Sequence, residues 1–381
     1  MILKTVYKND RISRAAIARV TGLTRATVSG AVADLENDGM IAEVGVGPSK
    51  SGKPPILLKF VDEARCLIGL DLAENEFRGA IVNLRGEIKH RLNWPINGGD
   101  VSGTLASIDA LIDRLRRLST SPLLGIGIGA PGLIDSQHGV VRYAAKLDWR
   151  EIRLGEMLAR KHGLPVHIAN DCQAAALAEF TFGNGNGYEP NLIVIKASQG
   201  IGAGIVLNRQ LFCGDRFGAG ELGHLVINEG GDPCRCGHRG CLETVVGSES
   251  ILRAARGIAA GDPGSLLHRF AGAPERIDID AVARALEAGD GTLRSMVAEA
   301  GRILGIALAN LVGILNVHRL ILAGSLTRLG PALLDPVRRE IGRRSLSALA
   351  DETVVAVSGL GEDIVILGAA ALLLNNELKL P

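Results

Sequence analysis

The chain has 381 residues and a formal charge of +1, from 42 Lys and Arg against 41 Asp and Glu. That length exceeds one small core, so two or three domains are expected. Hydrophobic residues make up 47% and aromatics 3%, and there are 49 glycines. This balance favours a tightly turned α/β chain over a β-sandwich or an aromatic-rich binding surface. No run of about 18 apolar residues stands out, so no membrane span is expected. The N-terminus "MILKTVYKNDRISR" lacks the apolar core of a signal peptide, and the six cysteines do not read as a disulfide framework. The expected location is cytoplasmic. The charge is uneven: residues 1–60 hold nine Lys or Arg and five Asp or Glu, +4, and the other 321 residues hold 33 and 36, −3. A basic head on a slightly acidic body points to an anionic partner for the head alone.

In "SRAAIARVTGLTRATVSGAVADLENDGMIAE" two helical patterns flank a "TGLT" turn. Ser13 is placed to cap the first helix, with Ala16, Ile17 and Val20 as its apolar face. Gly22 makes the turn and Thr24 caps the second helix, whose buried stripe is Val28, Val32 and Leu35. Thr24, Arg25, Ala26, Thr27 and Ser29, small or hydrogen-bonding side chains at that helix's start, suit entry into a DNA major groove. "AEVGVGPSKSGKPPILLKF" then reads as a β-hairpin wing whose tip, with Lys50 and Lys53, is placed for phosphates or a minor groove. The alternative is a helical hairpin with a solvated charged face. The order helix, turn, helix, hairpin favours a winged helix–turn–helix over residues 1–60.

Further on, "LIGLDL" (67–72) reads as a buried strand and "RGAIVNLRGEIKHRLNWPI" (78–96) as a hairpin turning at Arg85-Gly86. "SIDALIDRLRRL" is an amphipathic helix, and "LLGIGIGAPGLID" a buried strand running into a Gly/Pro loop. "PVHIANDCQAAALAEFTFG" is a strand that stops at Asn170-Asp171 and starts an Ala-rich helix. "NLIVIKASQGIGAGIVLNRQLF" is strand, glycine turn, strand, and "ILNVHRLILAGSL" a late strand. Strands ending in glycine or acidic loops just before helices are where α/β folds bind ligands.

The chain resembles the ROK family (repressors, open reading frames and sugar kinases) over essentially its whole length, and within it the xylose-repressor-like branch of regulators. The resemblance rests on "GIGAPG" (127–132), "NDCQAAALAE" (170–179), "GIGAGIV" (200–206), "GELGH" (220–224) and "CRCGHRGCLE" (234–243). It implies an α/β chain: the winged head, then an actin-like (ribonuclease H-like) body of two lobes, 61–180 and 181–381, whose C-terminal helix can return to the first lobe. A closed structural Zn²⁺ site wants four N or S ligands. Cys234, Cys236 and Cys241 supply three thiolates, and His224, ten residues earlier, is the candidate fourth. His238 lies between them, in a loop already pinned on both sides. The family pattern of His, ten residues, Cys-x-Cys, Cys implies the same set. The alternative is three reduced cysteines without metal. Cys66, Cys172 and Cys213 read as small core residues.

The resemblance further implies a sugar pocket lined by Asn170, Asp171, Glu221, His224 and Glu243, with Gly132 letting backbone approach the sugar ring. The residue types suit this: carboxylates accept from vicinal hydroxyls, and an amide both donates and accepts. Read alone, Asn170 or Asp171 is equally a helix N-cap, and the glutamates are surface acids. ROK kinases use the aspartate of the Asn-Asp pair as base, which Asp171 matches. Their first phosphate loop, Asp-x-Gly-Gly-Thr, is here "DLAENEF" (71–77), their Gly-Thr-Gly is Ser198-Gln199-Gly200, and their later Gly-Gly is Ala323-Gly324. Phosphoryl transfer depends on backbone N–H groups facing the phosphates, so no catalytic residue and no ATP binding are expected. The reading is a sugar-responsive repressor that leaves its operator when sugar binds. Because one winged head reads few base pairs, a homodimer or higher homo-oligomer on an inverted repeat is expected. An ATP-dependent sugar kinase with a DNA-binding head is the alternative, and a zinc-stabilised binding protein a third. In "AAKLDW" (144–149) Lys146 stands where many ROK kinases have Asn; it either binds an acidic or phosphorylated sugar or sits in solvent.

Overall fold

The computed structural model describes residues 1–48, 54–72, 76–96, 100–183 and 189–380. The head comprises α1 (Ile2–Lys8), β1 (Ile12–Ser13), α2 (Arg14–Thr21), α3 (Arg25–Asn37) and the hairpin β2 (Ile41–Val46) and β3 (Ile56–Phe60). Its sheet runs β1-β3-β2, all antiparallel. The Ser13 hydroxyl accepts from the Ala16 N–H at 3.2 Å, Gly22 closes α2 at φ +72°, and Thr24 caps α3 by accepting from the Thr27 N–H at 3.2 Å. Ile17, Val28 and Val32 are buried. Val20 is not: it is 69% exposed, because the last turn of α2 passes the edge of a small core that Ile17 enters with Ala16 and Ala18 at its margin. Arg14 pairs with Glu36 at 2.8 Å and Glu43 at 2.9 Å, tying α2 to α3 and the wing. The expected wing tip, with Lys50 and Lys53, lies outside the described residues.

The body begins with β4 (Cys66–Asp71), β5 (Glu76–Asn83), β6 (Ile88–Pro95), α4 (Val101–Leu118) and β7 (Leu123–Ala130). A small sheet follows, β8 (Leu133–Asp135), β9 (Val140–Ala144) and β10 (Trp149–Ile152), then α5 (Leu154–His162), β11 (Val166–Asn170) and α6 (Asp171–Phe182). Next come β12 (Leu192–Ala197), β13 (Ile201–Leu207), β14 (Gln210–Leu211) and α7 (Glu243–Val246). The chain ends with α8 (Ser248–Gly261), α9 (Leu267–Ala271), α10 (Ile279–Glu287), α11 (Gly291–Leu315), β15 (Arg319–Ala323), α12 (Pro331–Arg344), α13 (Ser347–Ala350), β16 (Val354–Val357) and α14 (Ile364–Leu378). Two five-stranded sheets result, ordered β11-β7-β4-β5-β6 and β14-β13-β12-β15-β16.

Alternation along the strands sorts the core. On β4, Ile68 and Leu70 face the outer cluster with α4, and Leu67 faces inward. On β12, Ile193, Ile195 and Ala197 face α8, α10 and α11, while Leu192 and Val194 face inward. Between the sheets lie α6, under β12 and β13, and α14, under β4 and β7. The two helices approach closely: a Cβ at Gly368 of α14 would stand 1.8 Å from the Ala174 carbonyl oxygen of α6, and one at Gly127 of β7 would stand 2.0 Å from the Ala369 carbonyl oxygen.

Helix α11 has 25 residues and the length and hydropathy to cross a membrane. Its inner face, including Leu293, Val297, Leu304 and Leu308, is core of the second lobe. Cys66 and Cys172 are buried as expected, but Cys213 is only half-buried, since the short strand β14 ends just before it at the edge of its sheet.

Alanine is the better helix former by about 1 kcal/mol, yet Gly368→Ala is expected to destabilise the protein by about 1–3 kcal/mol, because a methyl there must force the two helices apart. Urea unfolding of the variant checks the sign.

Candidate functional site

Strand β11 ends and α6 begins at the same point. Asn170 is the N-cap: its Oδ1 accepts from the N–H groups of Cys172 at 2.8 Å and Gln173 at 3.2 Å, and its Nδ2 donates to the Gly132 carbonyl at 3.0 Å. Its side chain therefore caps α6 and clamps the loop after β7, leaving one amide hydrogen for a ligand. Gly132 has φ +90°, and a Cβ there would lie 2.1 Å from the Tyr143 carbonyl oxygen. This backbone contact by itself requires a glycine there.

Asp171 is buried, with Oδ2 3.0 Å from Nζ of Lys196. Lys196 is 7% exposed and was missed in the sequence. The available signal was a lysine alone in "LIVIKA", in phase with Leu192 and Val194, whose side chains face inward.

Glu221 precedes a short 3-10 turn, Leu222–His224, and Glu243 starts α7. His224 Nε2 lies 3.7 Å from a Glu221 oxygen and its Nδ1 3.6 Å from a Glu243 oxygen. Burial raises the Glu221 pKa, the Asp171 and Glu243 charges raise it further, and His224 opposes them. Three carboxylates, one imidazole and one ammonium thus share one polar space, an arrangement suited to a ligand rich in hydroxyls. Lys146 donates from Nζ to Gln199 Oε1 at 2.8 Å, reaching from the β9–β10 connection to the β12–β13 turn.

Beside this space, the ligand atoms of His224, Cys234, Cys236 and Cys241 all lie within 4.8 Å of one another. Cys234 Sγ is 3.5 Å from His224 Nδ1, and the Cys236 and Cys241 sulfurs are 3.6 Å apart. A tetrahedral ion with metal–sulfur bonds of about 2.3 Å and a metal–nitrogen bond of about 2.0 Å gives ligand–ligand edges of about 3.5–3.8 Å, so the set has the dimensions of a four-ligand metal centre. Burial holds the Cys234 and Cys241 thiols up. At Cys236 burial is outweighed by hydrogen bonds from the His238 backbone and ring and from the other thiols, bringing it to about 6. Glu243 Oε1 lies 3.0 Å from Cys234 Sγ, joining the centre to the polar space.

In the head, Thr24, Arg25, Ala26, Thr27 and Ser29 are exposed at the start of α3. Thr24 and Thr27 hydroxyls are 2.8 Å apart.

Residues 67–376 match the ROK family, and residues 1–42 match a winged helix–turn–helix DNA-binding family. The chain belongs to the ROK family. It is 32% identical to the xylose repressor of Caldicellulosiruptor bescii, over 100% of this chain and 96% of that protein. It is 33% identical to the glucokinase of Halalkalibacterium halodurans, over 82% of this chain and 96% of that one. Among solved structures, a ROK family transcriptional regulator, a homologue of the E. coli MLC protein, superposes with a TM-score of 0.84 at 28% identity, covering 98% of this chain and 94% of its own. A ROK family glucokinase from Streptomyces griseus, in complex with glucose and AMPPNP, gives 0.74 at 27% identity, covering 81% of this chain and 98% of its own.

At the phosphate-loop positions of ROK kinases, Asp71 is buried and its Oδ2 accepts from Arg78 at 2.6 Å. Ala73, Glu74 and Asn75 lie outside the described residues. The Ser198 hydroxyl accepts from the Ser325 N–H at 3.2 Å.

Removing one partner of a buried ion pair leaves the other uncompensated. Lys196→Met is expected to cost about 3–5 kcal/mol of stability, and adding Asp171→Asn to recover part of it. Urea denaturation of the single and double variants measures both effects.

Proposed function

We propose that this ROK protein is a sugar-responsive DNA-binding repressor that leaves its operator when D-xylose or a closely similar aldose binds the body. What carries this reading is coverage: the xylose repressor of C. bescii aligns with 100% of the chain, head included, whereas the glucokinase of H. halodurans aligns with 82%. In it, residues 1–60 are the DNA-binding head, and 61–180 and 181–381 are the two lobes, with α14 belonging to the first. Arg25, Ala26, Thr27 and Ser29 read base edges, Thr24 starts the recognition helix, and Lys50 and Lys53 hold backbone phosphate. Asp171, Glu221, His224 and Glu243 hold the sugar hydroxyls, and Asn170 and Gly132 hold the frame. Such a regulator works in the cytoplasm, on the nucleoid.

The ion in the four-ligand centre is Zn²⁺, because three thiolates and an imidazole in a tetrahedron suit a borderline-soft ion. When bound, it fixes the loop that carries His224 and Glu243 beside the pocket. A sugar kinase is the second reading, favoured by Asp171 at the end of β11. Against it stand the ion pair that Lys196 makes with Asp171 and the bond of Arg78 to Asp71.

Protein purified without added metal is expected to carry about one zinc per chain by elemental analysis, and Cys236→Ser to lose the metal together with sugar binding, since metal-binding energy here is folding energy. A value near zero in a protein of normal melting behaviour contradicts the zinc assignment.

D-xylose is expected to raise the melting temperature of the wild type and not of Asp171→Asn. The protein should be at least a dimer by light scattering, and duplexes selected from a random library should carry an inverted repeat whose binding weakens steeply with salt. ADP release from Mg-ATP with D-xylose or D-glucose would return the kinase reading. Operator binding indifferent to every aldose would remove the sensor.

A further inference from the structure

The winged head is seated on the body by more than its connection at residue 60. Tyr7 of α1 is buried and donates its hydroxyl hydrogen to the Leu84 carbonyl at 3.2 Å. Its ring meets Phe60 of β3 edge-on, with centroids 5.0 Å apart. Arg85, in the β5–β6 turn, lies over both rings, 3.9 Å from the Tyr7 centroid and 5.2 Å from that of Phe60. Its Nε donates to Asp62 Oδ1 at 2.8 Å, and the Leu84 N–H donates to the Asp62 carbonyl at 3.1 Å. A planar cation over the Tyr7 ring, within reach of the Phe60 ring and anchored on a carboxylate, fixes orientation as well as distance.

The other side of the same turn meets α6. Gly86 has φ +84°, and a Cβ there would stand 2.7 Å from the Phe182 ring. Phe182 is the last residue of α6, and the first residue, Asp171, lies in the polar pocket. Twelve helical residues span about 18 Å. Residues 171–180 of that helix are all buried, so a displacement at its start is passed on rather than absorbed by bending. Arg209, in the β13–β14 turn, lies over the Phe180 ring at 5.4 Å. Lys8 of α1 is held below its ordinary pKa by burial first, then by the charges of Lys4 and Arg209.

We infer that Arg85 is a positioning residue for the DNA-binding head: the Arg85–Gly86 turn locks α1 and β3 to the far end of α6, so that a shift of α6 on sugar binding re-aims the head. This rests on the proposed sensing of a sugar in the pocket at the start of α6, and it assigns the route by which pocket and head are linked. Two heads of a dimer must match a fixed half-site spacing, so a small change in head angle is enough to weaken DNA binding.

Full-length wild type, Arg85→Ala, Arg85→Lys and Phe182→Leu are compared. Each is titrated with a duplex selected by the wild type from a random library, with and without saturating D-xylose, and D-xylose binding is measured separately by calorimetry. In the wild type the sugar weakens DNA binding by about fivefold or more, the lower end of ordinary coupling. The variants, which do not touch the pocket, bind D-xylose within about threefold of wild type, yet the sugar changes their DNA affinity by less than about twofold. Lysine keeps the charge but has no planar fork that covers the Tyr7 ring while its Nε–H is held by Asp62, so Arg85→Lys behaves as alanine does. Folded Arg85→Ala that keeps the full sugar effect, or full rescue by lysine, overturns the inference. If Arg85→Ala does not fold, Phe182→Leu decides from the other face of the turn by the same criterion. A wild type indifferent to D-xylose overturns the functional reading and the inference together, which separates that failure from the failure of the route alone.

Discussion

The body depends on one close crossing. Helix α14 carries Gly368 where it meets the Ala174 carbonyl of α6, and the two helices can share the space between the sheets only because neither presents a side chain there. Everything on the inner faces follows. Leu67 and Val82 of the first sheet and Val194, Val206 and Ile321 of the second join α6 and α14 in one cluster. The head's Tyr7, Ile17, Val28 and Phe60 belong to the same cluster, so head and body share a continuous apolar core. A ligand that moves α6 therefore works against, and through, packing that has few discrete arrangements.

That crossing also fixes the chemistry. Held between the sheets, α6 starts where β7, β11 and the β12–β13 turn converge, and Asn170 uses both ends of its amide to hold the junction. Lys196 reaches Asp171 because strand alternation points it at the same helix. The pocket is thus crowded with polar groups, yet each has a neighbour: Lys196 with Asp171, and His224 with Glu221 and Glu243. Neutral hydroxyls can enter such a lattice by exchanging hydrogen bonds, without leaving a buried charge unpaired.

The outline of the fold was legible from strand and helix periods, and the head was legible residue by residue: Ser13, Gly22 and Thr24 perform the capping and turning roles that their types suggest. The cluster of His224, Cys234, Cys236 and Cys241 stood out because thiols at such spacing have few other uses. What escaped is tertiary. Val20 has the right period but lies beyond the edge of its core. The Lys146 bond to Gln199 joins residues 53 apart, and no local pattern signals it. Lys196 needed the inner face of β12 to be known first. Arg85 looked like an ordinary turn residue, and only the seating of the head gives it two rings to cover. Helix α11 reads by composition as a possible span, while its packing makes it a core helix.

From the end of β4 to α10, charges run in a chain from one lobe to the other. Asp71 holds Arg78 at 2.6 Å, and Arg78 donates to the Glu362 carbonyl at 2.9 Å, with the Glu362 carboxylate 3.9 Å away. Glu362 pairs with Arg328, which pairs with Asp280 of α10 at 2.8 Å. Glu362 is 63% exposed, so each outer pair is worth no more than about 1 kcal/mol. Their placement matters more than their strength. Anion sites need cations and backbone donors with free valence, and here both arginines already face carboxylates. The chain ties the lobes weakly, and α6 ties them firmly in the middle. The polar pocket is then the place where a small molecule can add differential contacts between lobe arrangements, which is the only means by which a ligand shifts such an equilibrium. The head is seated on the turn at the far end of α6, and the polar pocket lies at that helix's start.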